Sequence, residues 1–287
     1  MEYPKRAGSE EEFLVCTELL PSVRERYGPT FVLLEIPEVL RSNRSDRTIY
    51  FRHYGEQRYN DRWNERDGGS LLGTELSSEM VQLLKGLQTI DVDWLLSQHP
   101  VGQTMRQSAF DLTGWLLSFR DRETEAISMG IPPTELSQAE ELTRGGFQST
   151  GRIVSNGDFY PRNLIRLPNR MALVDWGYWP GHRACFVDYL VNVAAFAFIH
   201  MWGNRLWQKE FVRHLRGTFD IKLDDLRKAV LIKSFEQALF FQACPRPDLV
   251  PPQVKAIISL QHMYFIVTMC CRDRAVMCSR SFPVDHL

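Results

Sequence analysis

Three side chains stand out by type and spacing: Asp158, Asn163 five residues later, and Asp175 twelve residues after that. Asn163–Leu167 reads as a short strand, Pro168-Asn169-Arg170 as a turn, and Met171–Asp175 as a returning strand. A hairpin centred on Asn169 would set Asn163 opposite Asp175. Asp158 falls in the loop before it, opened by Gly157 and bent by Pro161. Two carboxylates and a carboxamide are therefore expected together at one end of a hairpin. Oxygen ligands of this kind suit Mg2+, which commonly binds through one or two carboxylates plus substrate phosphates. A carboxylate in the preceding loop would orient a hydroxyl and accept its proton. The alternative left open by the residues alone is an ordinary polar hairpin rim.

The pattern G-D-x-x-x-x-N over Gly157–Asn163, followed by a hydrophobic run into Asp175-Trp176, resembles the aminoglycoside phosphotransferase and choline kinase branch of the protein-kinase-like fold. The resemblance implies Asp158 as catalytic base and Asn163 and Asp175 as magnesium ligands. ATP would be the phosphoryl donor and a small-molecule hydroxyl the acceptor. It also implies that Asp188, thirteen residues past Asp175, braces the catalytic loop through backbone hydrogen bonds; a merely exposed Asp fits the sequence equally. The family usually has His before the Gly-Asp pair. This chain has Asn156, which would support the loop through a different hydrogen bond.

Phosphoryl transfer of this kind also needs a strand Lys paired with a helix Glu to grip the nucleotide phosphates. Lys5 is the only candidate, because the next lysine is Lys85. Its partner would be Glu12 or Glu18, although a Ser9–Glu12 capping box already accounts for Glu12. Only four residues precede Lys5, too few for two further strands and a Gly-rich loop. The expectation is a truncated N-terminal lobe, either in a shortened form of a longer protein or with an open nucleotide site. Two functional readings follow: an ATP- and Mg2+-dependent phosphotransferase, or a catalytically impaired pseudokinase acting as a binding module. A third, metal-assisted hydrolysis by the same oxygen cluster, lacks any His-rich metal constellation. Gly146–Gly151 superficially resembles a phosphate loop but is not followed by the Lys and Ser or Thr such a loop needs.

The elements that must position these groups follow from periodicity and turn signals. Residues 9–27 read as a helix with Phe13, Cys16, Leu20 and Val23 on one face and Pro21 as a potential kink. Residues 30–36 and 48–54 read as strands flanking a polar loop at 41–47, and 54–69 as a hinge. Helices are expected at 75–87, 108–120, from Ser137 to Gly145-Gly146, and at 184–201 (carrying Asp188), 204–217, 223–242 and 252–270. The fold class is α+β, a two-lobe kinase-like fold with a partial N-terminal lobe at 1–58 and a mainly helical catalytic and substrate lobe at 59–287.

Composition agrees with a globular protein, 44% hydrophobic and 24% charged. Lys plus Arg number 34 against 35 Asp plus Glu, with no basic stripe, so nucleic acid is not an expected partner. The most apolar stretch, Phe186–Trp202, carries Asp188, Asn192 and His200 and reads as a buried helix rather than a membrane span. The start lacks a secretory signal, and the six Cys show no C-x-x-C or metal-ligand spacing. Reduced core thiols and a cytoplasmic location are the expectation. The aromatic-rich region 176–211 would be core or would cage a cation such as a choline-like amine.

Overall fold

A single half-buried residue, Lys5, interrupts the otherwise exposed edge strand β1 (Glu2–Arg6). The computed structural model describes residues 2–55, 69–107, 144–149, 151–176, 186–201 and 205–242, with 137, 140 and 141. Residues 56–68 of the hinge expected at 54–69, and the helices expected at 108–120 and 252–270, lie outside these. So do all the cysteines except Cys16. Two compact units are present. The first comprises Met1–Phe110 with Ser149–Lys222, and the second Asp111–Gln148 with Leu223–Leu287.

In the first unit β1 pairs antiparallel with β4 (Thr48–Arg52), which pairs in turn with β3 (Val39–Asn43), giving the order β1-β4-β3. The chain between β1 and β3 forms helix α1 (Glu10–Leu14), a π-helical turn (Val15–Leu19) and helix α2 (Leu20–Tyr27). The expected stripe of Phe13, Cys16, Leu20 and Val23 is buried. Pro21 does not split the helix. The wide π-turn lies immediately ahead of it, where a proline ring would otherwise meet the carbonyl four residues back. The strand expected at 30–36 forms only as the two-residue β2 (Leu34–Glu35), because Gly28–Thr30 winds into a 3-10 turn. The partner of β4 is β3, which begins before, and extends into, the segment read as a loop. Arg41, Ser42 and Asn43 face solvent and leave no hydrophobic alternation to read.

Helix α3 (Gly69–Gln88) buries Leu76, Met80, Leu83, Leu84 and Leu87, the stripe expected for 75–87. Helices α4 (Val92–Gln98) and α5 (Val101–Gln107) follow. The hairpin of β6 (Leu164–Arg166) and β7 (Met171–Leu173) gains β2 as a parallel third strand, with Met171 N–H donating to the Leu33 carbonyl at 2.7 Å. Strand β5 (Arg152–Val154) pairs antiparallel with β8 (Val187–Tyr189). Helix α6 (Leu190–His200) is buried almost all round rather than on a stripe, since Leu190–Ala197 and Ile199 are all inaccessible. Helix α7 (Arg205–Thr218) packs along α3, and the Ser77 hydroxyl donates to the Trp207 carbonyl at 3.1 Å. Among the described residues no helix is long and apolar enough to cross a membrane.

The second unit contains helix α8 (Leu223–Gln242). Buried Asp225 accepts from the Gln148 N–H with both carboxylate oxygens at 3.0 Å, and Lys228 Nζ donates to the Gly146 carbonyl at 2.6 Å.

Candidate active site

Strand β5 leads directly into the loop that carries Asp158. Its Ile153-Val154 pair is fully buried, and the Ser155 N–H donates to the Phe186 carbonyl at 2.9 Å, fixing the loop entrance against the approach to β8. Gly157 then takes a positive φ of 77°, a conformation without steric cost only for glycine. Asp158, Phe159 and Tyr160 alternate half-buried, buried, half-buried. In extended chain this places Asp158 and Tyr160 on one side and Phe159 in the core. The Tyr160 ring packs against Phe196 and His200 of α6, with centroids 6.1 and 4.7 Å away.

Two buried amides hold Asp158. Asn163 Nδ2 donates to both its carbonyl and its Oδ2, each at 2.9 Å. Asn156 Nδ2 donates to the Val174 carbonyl at 3.0 Å and to the Asp158 carbonyl at 3.3 Å, while its Oδ1 accepts from the Asp158 N–H at 3.3 Å. Asn156 thus ties the loop to the end of β7. The amide of Asn163 is oriented by its donor side, and its Oδ1 accepts no hydrogen bond from a described residue.

The hairpin register differs by half a step from the sequence expectation. Leu164 pairs with Leu173 and Arg166 with Met171 around the two-residue tip Pro168-Asn169, closed by Leu167 N–H to the Arg170 carbonyl at 2.8 Å. Asn163 therefore faces Val174, whose N–H donates to the Asn163 carbonyl at 2.8 Å, and Asp175 lies one residue beyond. Asp175 has a φ of 60°, unusual for a non-glycine residue and of the kind found at functional sites. Next to it Trp176 is buried, its indole N–H donating to the Leu173 carbonyl at 2.6 Å.

Lys5 reaches Asp175 from the N-terminal sheet. Its Nζ lies 2.7 Å from Asp175 Oδ1 and 2.9 Å from Glu12 Oε1. Burial alone would lower the Lys5 pKa, but the Asp175 and Glu12 carboxylates overcome it and hold the ammonium well above its ordinary value. Glu12 is itself buried. Its second oxygen accepts from the Gly8 N–H at 2.7 Å, and its own N–H is capped by Ser9 Oγ at 3.1 Å. The Ser9 cap and the ion pair coexist because the cap uses the Glu12 N–H and the ion pair its carboxylate. The second carboxylate oxygen takes the Gly8 N–H in place of the Ser9 N–H of a full capping box. Glu18, the other candidate partner, lies instead 3.6 Å from His99.

Asp188 lies on β8 opposite Ile153 and not on the following helix, which begins at Leu190. It is buried, and its Oδ1 accepts from the Tyr189 N–H at 2.7 Å and Asn192 Nδ2 at 2.8 Å.

Ion pairs tie the hairpin to its surroundings. Glu35 of β2 meets Arg170 at the hairpin tip (3.0 Å) and Arg24 of α2 (3.2 Å), and Arg166 of β6 meets Glu75 and Glu79 of α3 at 3.0 and 3.3 Å. Sequence reasoning assigned no site role to Tyr160, His200 or Cys16. For Cys16 the signal was present: it lies four residues after Glu12, hence on the same helical face.

No family model matches the chain, and no curated relative does. Solved structures do match. An aminoglycoside 2'-phosphotransferase IIIa mutant in complex with GDP aligns at a TM-score of 0.64 and 10% identity, over 92% of this chain and 86% of that one. A choline/ethanolamine kinase family protein from Mesorhizobium loti aligns at 0.58 and 10%, over 95% and 83%. The choline kinase LicA from Streptococcus pneumoniae aligns at 0.55 and 12%, over 93% and 86%. The chain therefore has the α+β, protein-kinase-like fold shared by aminoglycoside phosphotransferases and choline kinases.

Proposed function

We propose that this protein is a phosphotransferase that moves the γ-phosphate of ATP to a hydroxyl of a small molecule. The observation that carries the reading is the convergence of Lys5, Glu12, Asp158, Asn163 and Asp175 from three separate parts of the chain. Asp158, held by two amides, accepts the hydroxyl proton as the acceptor oxygen bonds to the γ-phosphorus and the bond to the leaving diphosphate oxygen breaks. Lys5 grips the nucleotide phosphates while Glu12 keeps its ammonium in place. The donor set fits Mg2+: the Asn163 Oδ1 is oriented and accepts no hydrogen bond from a described residue, and one oxygen of the half-exposed Asp175 carboxylate is outside the Lys5 ion pair. Bound there, the metal would neutralise charge on the phosphates. Asp188 would support the loop only through β8, where it lies opposite Ile153 of the strand that leads into the loop, and Asn156 takes the place of the usual His. The lobe division at residue 58 belongs to the same reading.

The direct Lys5–Asp175 ion pair favours a second reading, a pseudokinase that serves as a binding module, because it occupies two groups the transfer requires. A thermal-shift titration with ATP, with and without Mg2+, separates the two. Catalysis expects a magnesium-dependent rise in Tm that Asp175→Asn abolishes, followed by turnover once an acceptor is found. A wild-type Tm indifferent to ATP and Mg2+ would sink the catalytic reading.

A further inference from the structure

Cys16 is wholly inaccessible, yet it is not surrounded by hydrocarbon alone. It sits on the π-turn in the helix that carries Glu12, and its Sγ–H donates to the Trp176 carbonyl at 3.0 Å. That carbonyl belongs to the residue immediately after Asp175. The left-handed backbone of Asp175 is therefore pinned on both sides. The Val174 carbonyl is held by Asn156 and its N–H by Asn163, while Trp176 is held through its indole N–H and, by Cys16, through its carbonyl. Of these anchors only Cys16 comes from the N-terminal part of the chain.

We propose that Cys16 is a positioning residue for Asp175, its thiol proton latching the Glu12 helix to the Asp175-Trp176 backbone so that Lys5, Glu12 and Asp175 keep one geometry. The inference rests on the phosphotransferase reading for its consequence. A protonated sulfur is required, since a thiolate has no proton to give the carbonyl and would face two nearby carboxylates. Burial, opposed by Lys5 and reinforced by Glu12 and Asp175, pushes the thiol up to about 12 and keeps it in that state. An aliphatic side chain of similar size fills the space but supplies no donor. Serine supplies a donor on a shorter arm.

The test compares wild type with Cys16→Val, Cys16→Ala and Cys16→Ser, reading ATP affinity with and without Mg2+, and hydrogen exchange of the peptide spanning 171–176. Loss of the latch should weaken magnesium-dependent ATP binding about tenfold in the Val and Ala variants, as for other residues that orient metal ligands. The same variants should speed exchange at 171–176, and Cys16→Ser should restore both. Wild-type binding that Val and Ala leave unchanged overturns the latch alone. So does equal loss in all three variants, which would mark Cys16 as packing. No magnesium-dependent ATP binding in wild type sinks the functional reading and this role with it.

Discussion

The two carboxylates at the centre of the site are held in opposite ways. The Asp158 carboxylate accepts from Asn163 and its backbone N–H donates to Asn156, two amides that are 5% and 3% exposed and come from the same stretch of chain. Asp175 is held by an ammonium 170 residues away in sequence, and its side chain is 44% exposed. A buried amide has no water to exchange with, so breaking its bond leaves a polar group unsatisfied. A half-exposed ion pair gains little net energy and can trade partners at small cost. The Asp158 side is thus preorganised, whereas the Asp175 side can exchange Lys5 for another cation.

The sharpest way to break the comparison is Asp158→Asn. Turnover should fall by about 10²–10⁴-fold, the range for a lost general base, with Tm nearly unchanged. A variant retaining most of its rate would remove Asp158 from the chemistry. Asn163→Ala should cost stability as well as activity. Denaturant unfolding should show a loss of about 1–3 kcal/mol, because the Asp158 carboxylate loses a buried donor. Lys5→Met should separate the two sides. ATP affinity should drop markedly while the Asp158 loop keeps its hydrogen-exchange protection, since that loop is tied by the Asn156 and Asn163 amides.

A smaller effect is expected in alkali. The Cys16 thiol has an ordinary pKa of 9.0 and burial pushes it up to about 12 when folded, so the folded state keeps a proton that the unfolded state loses between those values. Stability should fall with rising pH across that window, by about 1.4 kcal/mol per unit for one proton. The Lys5 contribution has the same sign: its raised value keeps the contribution complete below 10.5, and it fades only at higher pH. The urea midpoint of Cys16→Ser should therefore decline less steeply than wild type above pH 9. Smallest of all, Glu10→Ala removes an exposed pair with Arg44 and should change stability by less than about 1 kcal/mol.

Wherever hydrophobic period and local spacing carried the information, the sequence was enough. The stripe of α3, the buried face of α1 and α2, the α+β class and the existence of the hairpin were all legible, because side chains in contact there are close in sequence. Strand β3 reads as loop in the sequence because its exposed residues lack alternation, and β5 goes unread because only Ile153-Val154 advertises a three-residue strand. The half-step in hairpin register was settled by a two-residue tip that sequence alone did not distinguish from three. Residue type and spacing named Asp158, Asn163 and Asp175, and scarcity of lysine singled out Lys5. Tertiary structure alone decided that the Lys5 ammonium meets Glu12 and Asp175 together, that Asp175 adopts a left-handed backbone, and that Cys16 caps the carbonyl beside it. Those contacts join residues up to 170 positions apart, and pairing at such distance leaves no periodicity in the chain to read.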